Sequence, residues 1–136
     1  MIRITKNNDI STIYKLGKEY DKKFDKLYNI ENYIDNSIYI VLVNEDNGFI
    51  NAFIICTNMY ETIEILLLYV DEKERNKGIG SNLILELDKY KYKKCLLEVS
   101  QKNISAYNLY LKMGFKVTGI REKYYNGINA IMMMKV

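Results

Sequence analysis

The chain contains no histidine, which removes every Ser-His and Cys-His nucleophile and leaves acid–base work to Glu, Asp, Tyr, Lys or water. Its two cysteines, Cys56 and Cys95, lie in apolar β-like runs without C-x-x-C spacing, so no zinc or other metal site is expected. One stretch has the residue types and order of an anion site: Arg75-Asn76-Lys77-Gly78-Ile79-Gly80-Ser81. The first turn of a helix leaves its N–H groups unpaired and carries the positive end of the macrodipole, so a phosphate placed there gains hydrogen bonds and favourable charge. Gly78 and Gly80 lack a Cβ and would let a pyrophosphate approach the backbone. Arg75 and Lys77 add charge beside it or are simply solvated. A P-loop is excluded because Ser81 follows Gly80 directly, and a dinucleotide loop is excluded because Leu83 stands where its third glycine belongs.

The elements that must position this loop are legible on both sides. Before it, Ile63 to Val70 is short and β-rich; after it, Leu83, Ile84, Leu87 and Tyr90 recur at helical spacing. The helix is predicted from about Gly78 to Tyr92, and Cys95 to Val99 gives a second strand, parallel to the first by a crossover connection. The loop then lies at the carboxyl end of a sheet strand, where ligands of such sheets bind. Upstream, Ile2 to Ile4 opens a strand, and Asp9 caps a helix with Ile10, Ile13, Tyr14, Gly17 and Tyr20 along one face. Residues 21 to 37 carry helical patches broken by Asn and Asp, consistent with a second short helix that either lines a substrate groove or only packs. Ile38 to Val43 and Phe49 to Cys56 flank Asn47-Gly48, a hairpin signal. Downstream, a helix over Ile104 to Met113 is bracketed by Asn103 and Gly114, followed by strands from Phe115 and over Asn129 to Val136, with Arg121 to Gly127 as the loop between them. The order β-α-α-β-β-β-α-β-α-β-β describes an α/β fold, a three-layer mixed β-sheet in one domain spanning 1–136.

Composition bounds the partners. The 136 residues carry 20 basic and 17 acidic side chains spread along the chain, a net charge of +3 that is too small and too dispersed for a nucleic-acid surface. No window approaches the roughly 18 uninterrupted apolar residues of a membrane helix, and the start MIRITKNNDI lacks an apolar leader, so a cytoplasmic protein is expected.

The string R-x-x-G-x-G from Arg75 to Gly80 resembles the acyl-CoA pyrophosphate loop of the GCN5-related N-acetyltransferases. The second half of the chain resembles the ribosomal-protein alanine N-acetyltransferases, a branch of that superfamily, through four elements in order: Leu97-Glu98-Val99; Asn103 with Ala106, Leu109 and Tyr110; Gly114-Phe115; and Ile120-Arg121, then Tyr124-Tyr125 and Ala130 to Met133. Together these cover roughly residues 63 to 136. Two features depart from the branch: the chain has neither Pro nor Trp, whereas the branch carries a Pro-Trp motif near its first helix, and Ser100 stands where many relatives place Arg.

The resemblance implies direct transfer of acetyl from acetyl-CoA to an amine. By the same match Glu98 would be the general base, directly or through a water, and Tyr110 would protonate the departing thiolate. Leu68-Tyr69-Val70 would run along the cofactor, with a backbone N–H near Tyr69 or Val70 donating to the thioester oxygen. Asn103 would reach the pantetheine arm, although a helix cap explains its type as well. Tyr107, three residues before Tyr110, would share its face as a cofactor wall or as core. Asn76, Ile79 and Ser81 complete the pyrophosphate loop. Tyr124 and Tyr125 would flank the acceptor, for which a protein N-terminus is expected, with a small amine such as a polyamine or aminoglycoside, or a non-catalytic acyl-CoA-binding module, as alternatives. Cys95 falls on the opposite strand face from Glu98 and reads as a buried thiol.

Overall fold

In a computed structural model of the chain, residues 1–125 and 127–136 are described, with the side chains of all these except Tyr124 and Tyr125. The β-rich runs form strands β1 (Ile2–Ile4), β2 (Tyr39–Asp46), β3 (Phe49–Met59), β4 (Thr62–Val70), β5 (Lys94–Ser100), β6 (Lys116–Tyr125) and β7 (Ile128–Lys135). Among the described residues they make one sheet in the order β1-β2-β3-β4-β5-β7-β6, antiparallel throughout except for the β4–β5 pair. The helices are α1 (Ile10–Tyr20), α2 (Phe24–Leu27), α3 (Ile30–Ile34), α4 (Ile79–Glu86) and α5 (Ile104–Lys112).

The central strands are apolar at consecutive positions because both their faces are covered. Ile40, Leu42, Ile54 and Leu97 pack into a core beneath α4 and α5, while Val41, Val43, Phe53 and Ile55 pack into a second core beneath α1 to α3. This is the three-layer arrangement that the sequence predicts. The β2–β3 hairpin turns through Asn47 and Gly48, both at positive φ (54° and 81°), the sign pattern that twists compatibly with a two-residue hairpin.

The decisive irregularity lies in β4. Ile55 pairs with Leu67 while Cys56 pairs with Ile65, so Leu66 is an extra residue on β4. A one-residue insertion reverses the facing of everything beyond it. Ile63 and Ile65 accordingly sit in the core under α4 and α5, whereas Leu67 and Tyr69 sit in the core under α1. The β4–β5 ladder ends at the same place, its last pair being Ile65 with Leu97. Beyond that pair the two strands part.

Several predicted boundaries shift. Residues 21 to 37 hold two short helices rather than one, and Phe24 of α2 lies so close over Gly17 that a Cβ there would stand 2.4 Å from its ring. Leu16 rather than Tyr20 completes the buried face of α1. Asp9 precedes α1 without capping it, since its carboxylate takes the Lys6 N–H at 2.7 Å and both Arg3 Nη atoms at 2.7 and 3.0 Å. The helix expected to run to Tyr92 ends at Glu86 and continues as a 3-10 turn to Tyr90. Most of the segment predicted as a loop from Arg121 belongs to β6, which runs to Tyr125 with an irregular register that the Asn129 side chain supports by accepting the Lys123 N–H at 3.0 Å.

Candidate active site

A cleft of about 560 Å³ opens between the diverging end of β4, the loop after it and α5. Its floor is main chain. The Asp71 N–H donates to the Asn51 carbonyl at 2.8 Å, which turns Asp71, and by antiparallel alternation Tyr69, toward β3. Leu68 and Val70 therefore direct their N–H and C=O groups into the gap on the β5 side, where the ladder has ended. The Val70 carbonyl there accepts Arg75 Nε at 3.0 Å. This refines the expectation for the oxygen donor to Val70 or Leu68, because the Tyr69 N–H is directed at β3.

The loop reaches α4 through two left-handed residues, Asn76 at φ 66° and Gly78 at φ 81°. Gly78 is the N-cap and supplies no side-chain cap, so the N–H groups of Ile79, Gly80 and Ser81, all on the cleft wall, have no partner from within the helix. Gly80 has a second duty. A Cβ built on it would meet Leu109 Cδ2 at 3.2 Å and Leu68 and Val70 at 3.7 and 3.8 Å, so its missing side chain also lets α4 start against α5 and β4. Arg75 lies on the wall with its guanidinium carbon 5.5 Å from the Tyr69 ring centre. Lys77 is not on the wall; it pairs with Glu74, whose hydrogen bond raises the Lys77 pKa.

From α5, Asn103 and Tyr110 reach the cleft. Asn103 caps the helix, its Oδ1 accepting the Ala106 N–H at 3.2 Å, so the cap engages its oxygen and not its Nδ2. Tyr110 is buried and meets Phe115 edge-on at 5.7 Å. Tyr107 is not on the cleft. It lies two residues from the cleft-facing Leu109, roughly 160° round the helix, and packs against the core. Leu109 and Asn108 hold the wall position that the sequence reading assigns to Tyr107.

Glu98 stands on the other side of the sheet. Cys95, Leu97 and Val99 of β5 enter the core under α4 and α5, so Glu98 faces the α1 side, one residue past the last β4–β5 pair. It is outside the cleft lining, and its Oε1 pairs with Arg121 Nη2 of β6 at 2.7 Å. The gap thus separates a ligand cleft carrying Tyr110 from an opposite face carrying Glu98. Cys95 points away from Glu98 into the core, and burial pushes its thiol up to about 12, which removes it as a nucleophile near neutral pH. Among the residues that escaped the sequence reading, two stand out. Tyr20, at the end of α1, lines the cleft and meets Tyr69 edge-on at 6.0 Å; its periodicity placed it only along one face of the helix. Arg121 was visible as part of a motif but not as the partner of Glu98. Tyr124 and Tyr125, expected to flank the acceptor, have side chains outside the described residues. Among the described residues no cluster of side chains suits a metal ion, and no helix is long and apolar enough to cross a membrane.

A family model for the acetyltransferase (GNAT) domain matches residues 35–117, from the end of α3 into β6. The chain belongs to the GNAT acetyltransferase family. An uncharacterized N-acetyltransferase of Methanocaldococcus jannaschii is 31% identical over 99 residues, 68% of this chain and 64% of that protein. The spermidine N(1)-acetyltransferase of Thermoplasma acidophilum is 38% identical over 74 residues, 52% of this chain and 44% of that protein. The chain spans less than two thirds of the length of these curated relatives. In fold, it is similar to the ribosomal-protein-S18-alanine N-acetyltransferase of Escherichia coli, with a TM-score of 0.84 over 99% of this chain and 92% of that one at 24% identity.

Proposed function

We propose that this GNAT domain transfers acetyl from acetyl-CoA to an amine by direct attack. The observation that carries this reading is the opening of the sheet at Ile65 and Leu97, which leaves the main-chain groups of Leu68 and Val70 pointing into a cleft that also holds an uncapped helix start. The N–H groups of Ile79, Gly80 and Ser81 suit a pyrophosphate, and Leu68, Val70 and Asn103 offer the donors and acceptors that an amide-bearing arm needs. At the inner end of the gap the Val70 or Leu68 N–H would hold the oxygen of the tetrahedral intermediate, and the Tyr110 hydroxyl would return a proton to the thiolate. Glu98, on the far face, would take the proton of the incoming amine.

For the acceptor we favour the α-amine of a protein N-terminus. An α-amine has a reference pKa of about 7.7–8.0 and a lysine amine about 10.4, so at neutral pH a single carboxylate faces a far smaller task with the former. The likeness of the second half to the ribosomal-protein alanine branch points the same way. A second reading, a polyamine acceptor, draws on the relative named for spermidine. The test is a competition between a free N-terminal peptide, its N-terminally blocked lysine counterpart and spermidine, with acetyl-CoA consumption as readout. Preference for the peptide supports the first reading; preference for spermidine makes the second the better one. Binding of acetyl-CoA without turnover of any amine would reduce the domain to a binding module.

A further inference from the structure

Arg121, the partner of Glu98, has no part in the chemistry described so far. The pair spans three strands: Glu98 on β5 is in register with Met132 on β7, while Arg121 on β6 is in register with Ala130, itself opposite Ser100. Adjacent strands lie about 4.8 Å apart, so the arginine must extend over the middle strand to reach β5. Ala130 permits this, because its methyl leaves the face above β7 open beside Met132, and it is wholly buried. The guanidinium meets the carboxylate at Oε1, 2.7 Å from Nη2. The side chain of Glu98 is 20% exposed and that of Arg121 51%, so the guanidinium stands at the solvent edge of the face that carries Glu98.

We propose that Arg121 is a positioning and specificity-determining residue: it fixes the Glu98 carboxylate at the gap, and its charge disfavours acceptors carrying more than one cation. This rests on the reading of Glu98 as general base. A peptide N-terminus brings one positive charge to the site, and the neutral amine that reacts brings none. Spermidine brings charges that persist after its reacting amine is neutral, and these would lie beside the guanidinium. Arginine suits the first task through its planar, multi-donor fork and the second through its positive charge.

The experiment compares the parent with Arg121→Gln, Arg121→Lys and Glu98→Gln. For each, kcat and KM are measured for an N-terminal peptide without basic side chains and for spermidine, with inhibition of peptide acetylation supplying a spermidine constant wherever spermidine is not turned over. Acetyl-CoA affinity, read by calorimetry, reports whether each variant is folded and loaded. Arg121→Gln should lower the spermidine constant about tenfold relative to the peptide KM, within the range of one solvent-screened charge–charge interaction. It should lower kcat for both acceptors and leave acetyl-CoA affinity at the parental value. Arg121→Lys should restore the discrimination but not the full kcat, since the charge returns without the fork. An unchanged ratio of the two constants in Arg121→Gln, with turnover lost in Glu98→Gln, overturns the proposal alone. Parental turnover in Glu98→Gln overturns the reading of Glu98 as base, and this proposal with it.

Discussion

Tyr110 is the residue whose place and chemistry agree most closely, being buried, on the cleft wall and held edge-on by Phe115. Tyr110→Phe keeps that ring contact and deletes the hydroxyl. We expect kcat to fall by roughly 10²-fold or more, the usual contribution of a positioned acid, with acetyl-CoA affinity nearly unchanged. Steady-state kinetics beside calorimetric titration separates the two, and parental kcat would end the assignment. At Gly80 two costs combine. An aspartate there would put a carboxylate among the unpaired N–H groups and a Cβ 3.2 Å from Leu109. Gly80→Asp should weaken acetyl-CoA binding at least about tenfold. Gly80→Ala carries the crowding alone, so equal losses in both variants would remove charge from the explanation. The sequence singled out both glycines of this loop but not how they differ. Gly78 answers a backbone angle, Gly80 a packing contact. The Glu98–Arg121 pair was beyond reach because its members are brought together through β7, and nothing local to either residue reports that register.

At the scale of elements, local chemistry was read well where it is local. Asn47-Gly48 makes the hairpin, and the apolar run, glycine loop and helical spacing around residue 78 give the strand-loop-helix unit. The opening of the sheet was not readable in this way. The Leu66 bulge lies inside Ile63-Glu64-Ile65-Leu66-Leu67-Leu68, where an inserted apolar residue leaves no mark on a run that is apolar on both sides. Residues 21 to 37 resisted for a different reason, since α2 and α3 are too short to show periodicity and are held mainly by packing. The clearest such contact is Phe24 on Gly17. Gly17→Ala would force a methyl to within 2.4 Å of that ring, so it should destabilise the fold by about 1–3 kcal/mol in spite of the better helix propensity of alanine. Phe24→Leu in the same chain should recover part of the loss, because the two sites share one contact. Urea unfolding of the two single variants and the double variant measures this coupling, and additive effects would show that the helices are joined elsewhere.

The whole molecule is a sheet joined at its middle by a short ladder. Strands β1 to β4 form one part and β5, β7 and β6 the other, and among the described residues the two parts pair through Thr62 to Ile65 with Lys94 to Leu97. The core under α4 and α5 is shared by both parts, with Ile54 and Ile65 from one meeting Leu97, Val99 and Met133 from the other. A ligand lying in the cleft would touch β4, the start of α4 and α5 together, and so complete a seam that the protein leaves open. Acetyl-CoA at a hundred times its dissociation constant should add about 2.7 kcal/mol of stability. For a chain of 136 residues this corresponds to a rise in Tm of about 9 °C. The location of the gain is the sharper test. Hydrogen exchange should slow most at the N–H groups of Leu68 and Val70, which face the gap, and at those of Ile79 to Ser81, while Tyr69, already directed toward β3, should change least among its neighbours. A rise in Tm with exchange slowed uniformly across β1 to β3 would place the ligand elsewhere; no rise at all would remove the cleft as the acetyl-CoA site.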